Sequence, residues 1–464
     1  MIAPLLLAAA ALATAAPAPH DWTRFGSDAA RSSSVAYATR ITAGNASHLQ
    51  RTRIELDGTV DSSPIFLHGA MVGGSQHDVF FVTTTYGKTL AIDAASGRVL
   101  WRYTPPGYSS WAGTYRITNA TPVADPNRAA IYAASPDGRI HKLSVADGNA
   151  MWSTAITKLP QREKIAAALN YSRGLVIAAT GGYLGDAPPY QGHVVTLKPA
   201  NGAIVHVWNS LCSNRHTLIE PSSCGATDSA IWARAGAVVD PSTGRLLVAT
   251  GNGPWNGRTN WGDSVLELSP NAAQLLQNWT PRNQAQLNAG DVDLGSTAPA
   301  LLGGGLAVQG GKDGRLRLLN IRRLNGTTHA AARLGGELQT VTAPGGTDVF
   351  TAPAVWRNRG ATWAFVTTND GTAAFRLVHR RLRRVWQNRF GGTSPVVAGG
   401  LLYVYDPNGA LRIYRPTSAR PVATLPAGPG HWNSPIVVAG RVALPEGNAN
   451  EHRAVGILNL YKLP

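Results

Sequence analysis

The sequence predicts an all-β fold, an eight-bladed β-propeller, on three observations. First, the 464 residues include 50 Gly and 30 Pro and few stretches with long-helix periodicity, which favours many short strands joined by turns. Second, one unit recurs: a Gly or Asp-Gly turn, an alternating strand, a second turn and often a Trp. Third, a small residue followed by Pro and an apolar strand precedes many of these units. One ring of repeats accounts for the length without a second domain.

The chain opens on an apolar Ala/Leu-rich run over 2–16, ending in Ala13-Thr14-Ala15 and Ala16-Pro17-Ala18. It is too short to span a bilayer and has small residues where a signal peptidase cuts, although no Lys or Arg precedes it. Residues 1–18 are therefore expected to be a signal peptide and 19–464 a single propeller. No later segment is apolar enough for a membrane span. Asp21-Trp22-Thr23-Arg24-Phe25-Gly26 is expected to lead into the ring.

The clearest repeat runs from Tyr86-Gly87 through Ala91-Ile92-Asp93 and Gly97 to Trp101, and the next from Asp137-Gly138 through Gly148 to Trp152. Both keep Gly four residues before Trp. Copies follow at Gln191-Gly192 and Gly262-Asp263, with weaker ones at Asp313-Gly314, Asp370-Gly371 and Asn408-Gly409 and a last at Val455-Gly456. Their spacing of roughly 40 to 70 residues suits one four-stranded blade each. Trp101 and Trp152 are expected between blades, where a flat ring buries much apolar area. The Pro markers, at Pro64, Pro122, Pro299, Pro353, Pro395 and Pro435, suit the first residue of an innermost strand, where no ladder donor is lost. The last strand is expected to share a blade with an N-terminal segment, closing the ring.

The 42 Lys and Arg against 26 Asp and Glu give a net charge of +16, which favours acidic partners. The cations are scattered. The densest run, His379-Arg380-Arg381-Leu382-Arg383-Arg384, reads as a solvated hairpin without the interleaved aromatics of a nucleic-acid surface, so no nucleic-acid partner is expected. The only cysteines, Cys212 and Cys224, bracket a polar loop; in an exported chain one disulfide is the simplest reading, and the spacing does not suit zinc.

Three strings within 231–314 carry the candidate chemistry: Thr250-Gly251-Asn252-Gly253-Pro254-Trp255-Asn256, Asp291-Val292-Asp293-Leu294-Gly295-Ser296, and Gly310-Gly311-Lys312-Asp313-Gly314. Each reads as a strand end followed by a Gly-rich turn with a polar side chain. An amide, a carboxylate and an ammonium spaced this way meet only if successive sheets surround one centre. Each has an ordinary reading too: Asn252 in a left-handed turn, the two Asp solvated in a turn, Lys312 solvated in a β-turn.

These strings, with Trp22-x-x-Phe25-Gly26-x-Asp28 and Ala91-x-Asp93-x-x-x-Gly97-x-x-x-Trp101, resemble the quinoprotein family, eight-bladed propellers with tryptophan-docking repeats that include dehydrogenases dependent on pyrroloquinoline quinone (PQQ). The resemblance covers nearly the whole mature chain. It implies PQQ and Ca²⁺ as cofactors, with Asn252 and Asp291 as metal ligands. It implies a catalytic carboxylate in Asp291-Val292-Asp293, with Asp291 first choice and Asp293 on the same face of a strand. It implies Lys312 against the quinone oxygens, Arg116 against a PQQ carboxylate, and Trp232 beneath the quinone, although the register of the usual Trp falls on Arg234.

Three departures accompany the match. Tyr183 stands where the family has a Ca²⁺-ligating Glu, with Asp186 nearby; the vicinal Cys pair is absent; and the stacking Trp is out of register. Two functions follow. One is an exported, periplasmic or secreted PQQ-dependent dehydrogenase oxidising an alcohol, sugar or polyol and passing electrons to a separate carrier, since no Cys-x-x-Cys-His haem motif occurs. The other is a non-catalytic propeller that binds a protein or an anionic wall polymer through its faces.

Overall fold

A computed structural model describes residues 20–464; the apolar run and the expected cleavage region lie outside the described residues. Eight sheets of four strands, one extended to five, follow one another along the chain, as the repeat predicts. The first seven blades occupy 65–103, 123–155, 170–209, 238–279, 300–342, 354–388 and 396–426. The eighth combines Ile436–Val438, Arg441–Glu446 and Gly456–Lys462 with Gln50–Leu56 from near the N-terminus. Gln50 pairs with Lys462 and Leu56 with Gly456 across an antiparallel ladder, so the ring is closed by hydrogen bonds between the two ends of the fold.

Every Pro marker stands immediately before the first strand of its blade: Pro64 before Ile65–Val72, Pro353 before Ala354–Asn358, Pro435 before Ile436–Val438. The repeat Trp residues join neighbouring blades. Trp101 donates from its indole nitrogen to the Val145 carbonyl at 2.9 Å, and Trp152 does the same to Pro199 at 3.0 Å. The Trp101 ring lies on Gly148 of the next blade. A Cβ there would fall 2.6 Å from the ring, and the backbone is left-handed at φ +76°, so this repeat position requires Gly twice over. The basic run forms the hairpin expected of it: Gly371–Val378 pairs with Arg381–Asn388, and His379 and Arg380 make the left-handed two-residue turn.

The segment from Trp22 to Tyr37 does more than lead into the ring. It runs along the inner strands as a strap. Trp22 bridges Phe66 of blade one, Thr23 accepts from Ala124 of blade two, and Arg24 reaches Asn170 and Tyr171 of blade three. Ala29 accepts from Val239 of blade four and Ser32 from Val355 of blade six; Ser34–Val35 then joins blade seven as a parallel strand. Phe25 is buried among Ala168, Ala233, Leu294 and Ala352, the inner residues of four blades. Buried Arg31 donates to the carbonyls of Phe25, Ala168 and Leu169. The strap's backbone and one guanidinium thus satisfy backbone groups along the first strands of the blades.

The disulfide Cys212–Cys224 is formed, with Cα atoms 5.9 Å apart. It pins the loop after the last strand of blade three.

Candidate active site

The polar side chains singled out by the sequence come from loops of blades four and five and from the connection between them. Asn252 follows the strand Leu246–Ala249, Lys312 follows Leu306–Gln309, and Asp293 directly precedes the short helical turn Leu294–Ser296. Asp293 is buried and joins them. Its Oδ1 accepts the Asn252 backbone N–H at 2.7 Å, its Oδ2 lies 2.5 Å from Lys312 Nζ, and its carbonyl accepts the Lys312 N–H at 2.9 Å. Gly251 makes the close approach feasible: a Cβ there would sit 2.1 Å from Asp293 Oδ1. Burial raises the Asp293 carboxyl above the usual carboxylate range although Lys312 opposes it. Burial alone would lower the Lys312 ammonium, but the carboxylates of Asp293 and Asp291 outweigh it and raise the pKa.

These residues line a cavity of about 310 Å³ together with Lys164, Tyr183, Asp186, Tyr190 and Trp232. Its aromatic wall is a cluster. Trp232 and Trp432 stack with centroids 5.6 Å apart, and His431 stacks on Trp432 at 4.4 Å. Cations flank this wall: Lys312 Nζ is 5.7 Å from the Trp232 centroid and the Arg234 guanidinium 4.6 Å from that of Trp432. Phe350, His431 and Trp432 also line an adjoining cavity of about 210 Å³ that contains Arg234.

Asp61, fully buried, holds the wall in place. Its carboxylate accepts from the Trp432 N–H at 2.8 Å, His431 Nδ1 at 2.7 Å, Asn119 Nδ2 at 3.0 Å and the Ala449 N–H at 3.1 Å. Blade one is thereby tied to the loops flanking the first two strands of blade eight. Burial alone would raise the Asp61 pKa, but His431, Arg234 and the Trp432 N–H hold it below the usual value.

The structure corrects several sequence expectations. Asp291 and Asp293 do not share a strand. They follow the short helix Gln284–Ala289 in irregular backbone, with Asp291 left-handed at φ +52° and its side chain 59% exposed. Asp291 touches Lys312 Nζ at 3.3 Å but does not line the cavity, so the carboxylate that reaches it is that of Asp293. Arg116 does not line it either; its guanidinium donates to the Pro136 carbonyl and lies over Trp111. Trp232 and Arg234 are not on a strand, since the first strand of blade four is Val238–Val239; a loop sends them to different cavities. Asn252 is not left-handed, so the turn reading of that residue fails; Gly253 has the positive φ instead. The hydroxyl of Tyr183 donates to the Pro160 carbonyl at 3.0 Å.

Sequence reasoning missed Asp61, Lys164, Phe350 and Trp432. A signal for three of them was present. The position three before each marker Pro is occupied by Asp61, Asn119, Ser296, Phe350, Gly392 and Trp432, and the last three line the central cavities. Lys164 has no such marker. It sits on the two-residue strand Glu163–Lys164, which pairs with Gly181–Gly182 outside the blade ladders.

A family model described as outer membrane protein assembly factor BamB matches residues 33–217. Among curated proteins, the quinohemoprotein alcohol dehydrogenase ADH IIB of Pseudomonas putida is 23% identical over 441 residues, covering 82% of this chain and 60% of that protein. The chain thus spans 60% or less of the length of the curated relatives it matches. Among solved structures, the quinohemoprotein alcohol dehydrogenase of Comamonas testosteroni superposes with a TM-score of 0.71 at 16% identity, over 95% of this chain and 80% of that one. A europium-containing methanol dehydrogenase gives 0.70 at 15%, over 96% and 98%. Fold and repeats define a PQQ-repeat propeller of eight blades. In fold and repeats the chain is similar to the quinoprotein alcohol dehydrogenases.

The two cofactors implied by the resemblance fit unequally. A flat anionic quinone matches an aromatic wall with ammonium groups beside it. Ca²⁺ does not match: Asp293 is taken by Lys312, Tyr183 brings a hydroxyl that is already donating, and no group of three His, Cys, Asp or Glu is arranged for a metal among the described residues.

Proposed function

We propose that the chain is a PQQ-dependent dehydrogenase that oxidises a small alcohol, sugar or polyol in the central cavity. The observation that carries this reading is Asp293, a buried carboxylate on the cavity wall held between the Asn252 N–H and the Lys312 ammonium beside the Trp232 ring. Bound PQQ supplies a two-electron acceptor for the substrate's hydride. Trp232 would support the flat face of the cofactor, and Lys312 would face its oxygens. Asp293, a stronger base through burial, would take the hydroxyl proton, leaving a carboxylic acid next to the ammonium. Export and a separate electron carrier belong to the same proposal; the disulfide is consistent with an oxidising compartment.

Dye-linked alcohol oxidation after reconstitution with PQQ is the test. Asp293→Asn is expected to lower kcat by about 10²- to 10⁴-fold, the usual worth of a general base, while quinone binding persists. Gly251→Ala, which drives a methyl into Asp293 Oδ1, is expected to lower kcat by at least about tenfold and to lower thermal stability as well, because it displaces a buried, paired carboxylate. Absence of PQQ-dependent turnover across alcohols, sugars and polyols would refute the enzyme. The Tyr183 hydroxyl in the position of a metal-ligating Glu would then favour a non-catalytic binding propeller.

A further inference from the structure

Lys164 is the cation of the cavity that the dehydrogenase reading leaves unused. It is 7% exposed and lines the same cavity as Trp232, Asn252 and Lys312. Among the described residues, its ammonium has neither a hydrogen-bond acceptor nor a carboxylate within ion-pair distance, whereas Lys312 is neutralised by Asp293 and Asp291. The nearest charges are unfavourable in sum. Arg234 is fully buried with Nη1 unpartnered, and its Nη2 is spent on the carbonyls of Asp61 and Asn119. Asp61 is the one carboxylate acting on both cations, and it is already engaged by four donors. Two buried cations against one saturated carboxylate leave uncompensated positive charge, a costly arrangement unless an anion completes it.

We propose that the cavity takes a planar aromatic polycarboxylate without a bridging metal ion, with the Lys164 ammonium binding a carboxylate of the ligand. This rests on the quinone reading only for the identity of the natural ligand; the anion site follows from the charges themselves. It also accounts for Tyr183: with the Lys164 ammonium as counter-charge, an anionic metal ligand at that position is unnecessary.

The proposal has a titration signature. Burial and then the charge of Arg234 lower the Lys164 pKa to about 7, against the opposing pull of Asp61. Asp186, Asp293, Lys312 and His431 face the same cavity. An anion raises the pKa of Lys164, so binding takes up a proton near pH 8. Affinity is greatest below pH 7 and falls as pH rises through the free and then the bound value.

Calorimetric titration in EDTA with PQQ, and separately with benzene-1,3,5-tricarboxylate, tests this on the wild type, Lys164→Met and Lys164→Arg. Binding of both ligands in EDTA is expected, weakened at least tenfold by Lys164→Met and less by Lys164→Arg. Heats measured at pH 8 in buffers of different ionisation enthalpy should report proton uptake by the wild type, a readout that stands even if Lys164→Met does not fold. PQQ binding that requires Ca²⁺, equal affinity in folded Lys164→Met, or no proton uptake would overturn the proposal while leaving the quinone reading in place. Metal-free, Lys164-dependent binding of the tricarboxylate but not of PQQ would uphold the anion site and refute the quinone. Binding of neither ligand under any condition would overturn both.

Discussion

Asp61→Ala is expected to destabilise the protein by about 3–5 kcal/mol, the cost of leaving buried partners of a charge unpaired. The carboxylate is fully buried and receives four hydrogen bonds from three separate segments. Without it, two backbone N–H groups, an amide and the His431 ring lose their acceptor, and Arg234 loses the charge that opposes its desolvation. Because the Trp432 N–H is one of the four donors, the Trp232–Trp432 stack should loosen as well. Urea unfolding reads the first effect and near-ultraviolet circular dichroism the second. The pH dependence has a definite sign. The folded pKa of Asp61 lies below the ordinary 3.8, so its contribution is present above that pH and is lost on acidification through the folded value. Asp61→Ala should therefore lose less stability than the wild type on going to strong acid. A cost below about 1 kcal/mol would mean that the wall is held by packing alone.

Glu163→Ala is expected to cost a similar amount, again about 3–5 kcal/mol, for a different reason. Glu163 and His193 form an ion pair in which both side chains are inaccessible, with His193 Nε2 3.0 Å from the carboxylate and Nδ1 2.6 Å from Asn209 Oδ1. The same carboxylate accepts the Gln191 N–H and the Thr157 hydroxyl, tying the added strand Glu163–Lys164 to blade three. Burial alone would lower the His193 pKa; Glu163 and Asn209 outweigh it and raise it above 6.5. The charged pair therefore contributes fully below pH 6.5 and fades as pH rises through the folded value. Guanidinium unfolding at pH 6 and pH 9 should show the larger loss at pH 6. Since Glu163 positions its neighbour Lys164, the variant should also weaken anion binding in the cavity. Equal losses at the two pH values would show that His193 is neutral and that the pair is an ordinary hydrogen bond.

The periodic part of the fold was legible because it is local. A left-handed Gly four residues before a Trp, and a Pro that donates no hydrogen bond at the start of a strand, are demands a residue places on its own backbone, and they recur with each blade. That the chain end shares a blade with an N-terminal segment was also expected; that 50–56 is that segment was decided by the structure. The strap was less legible. Its contacts with seven blades depend on where inner strands leave polar groups unsatisfied, and no sequence pattern records that.

The candidate site divides along the same line. Asn252, Lys312 and the Asp291-Val292-Asp293 string stood out as polar turn residues, the family resemblance implied their roles and added Trp232, and the cavity contains a member of each. Which Asp enters it was decided by the irregular backbone after Gln284–Ala289, since a period-2 argument holds only on a strand. Asp61, Phe350 and Trp432 come from blades far apart in sequence and meet only once the ring closes. Lys164 became significant only when its neighbours could be counted. The sequence by itself determined an eight-bladed ring of repeats and a short set of polar loop residues, because repeats and turns are set by local chemistry. Which side chains face one another, and which charge is left without a partner, were decided by the tertiary structure, because electrostatics and desolvation depend on distances between blades.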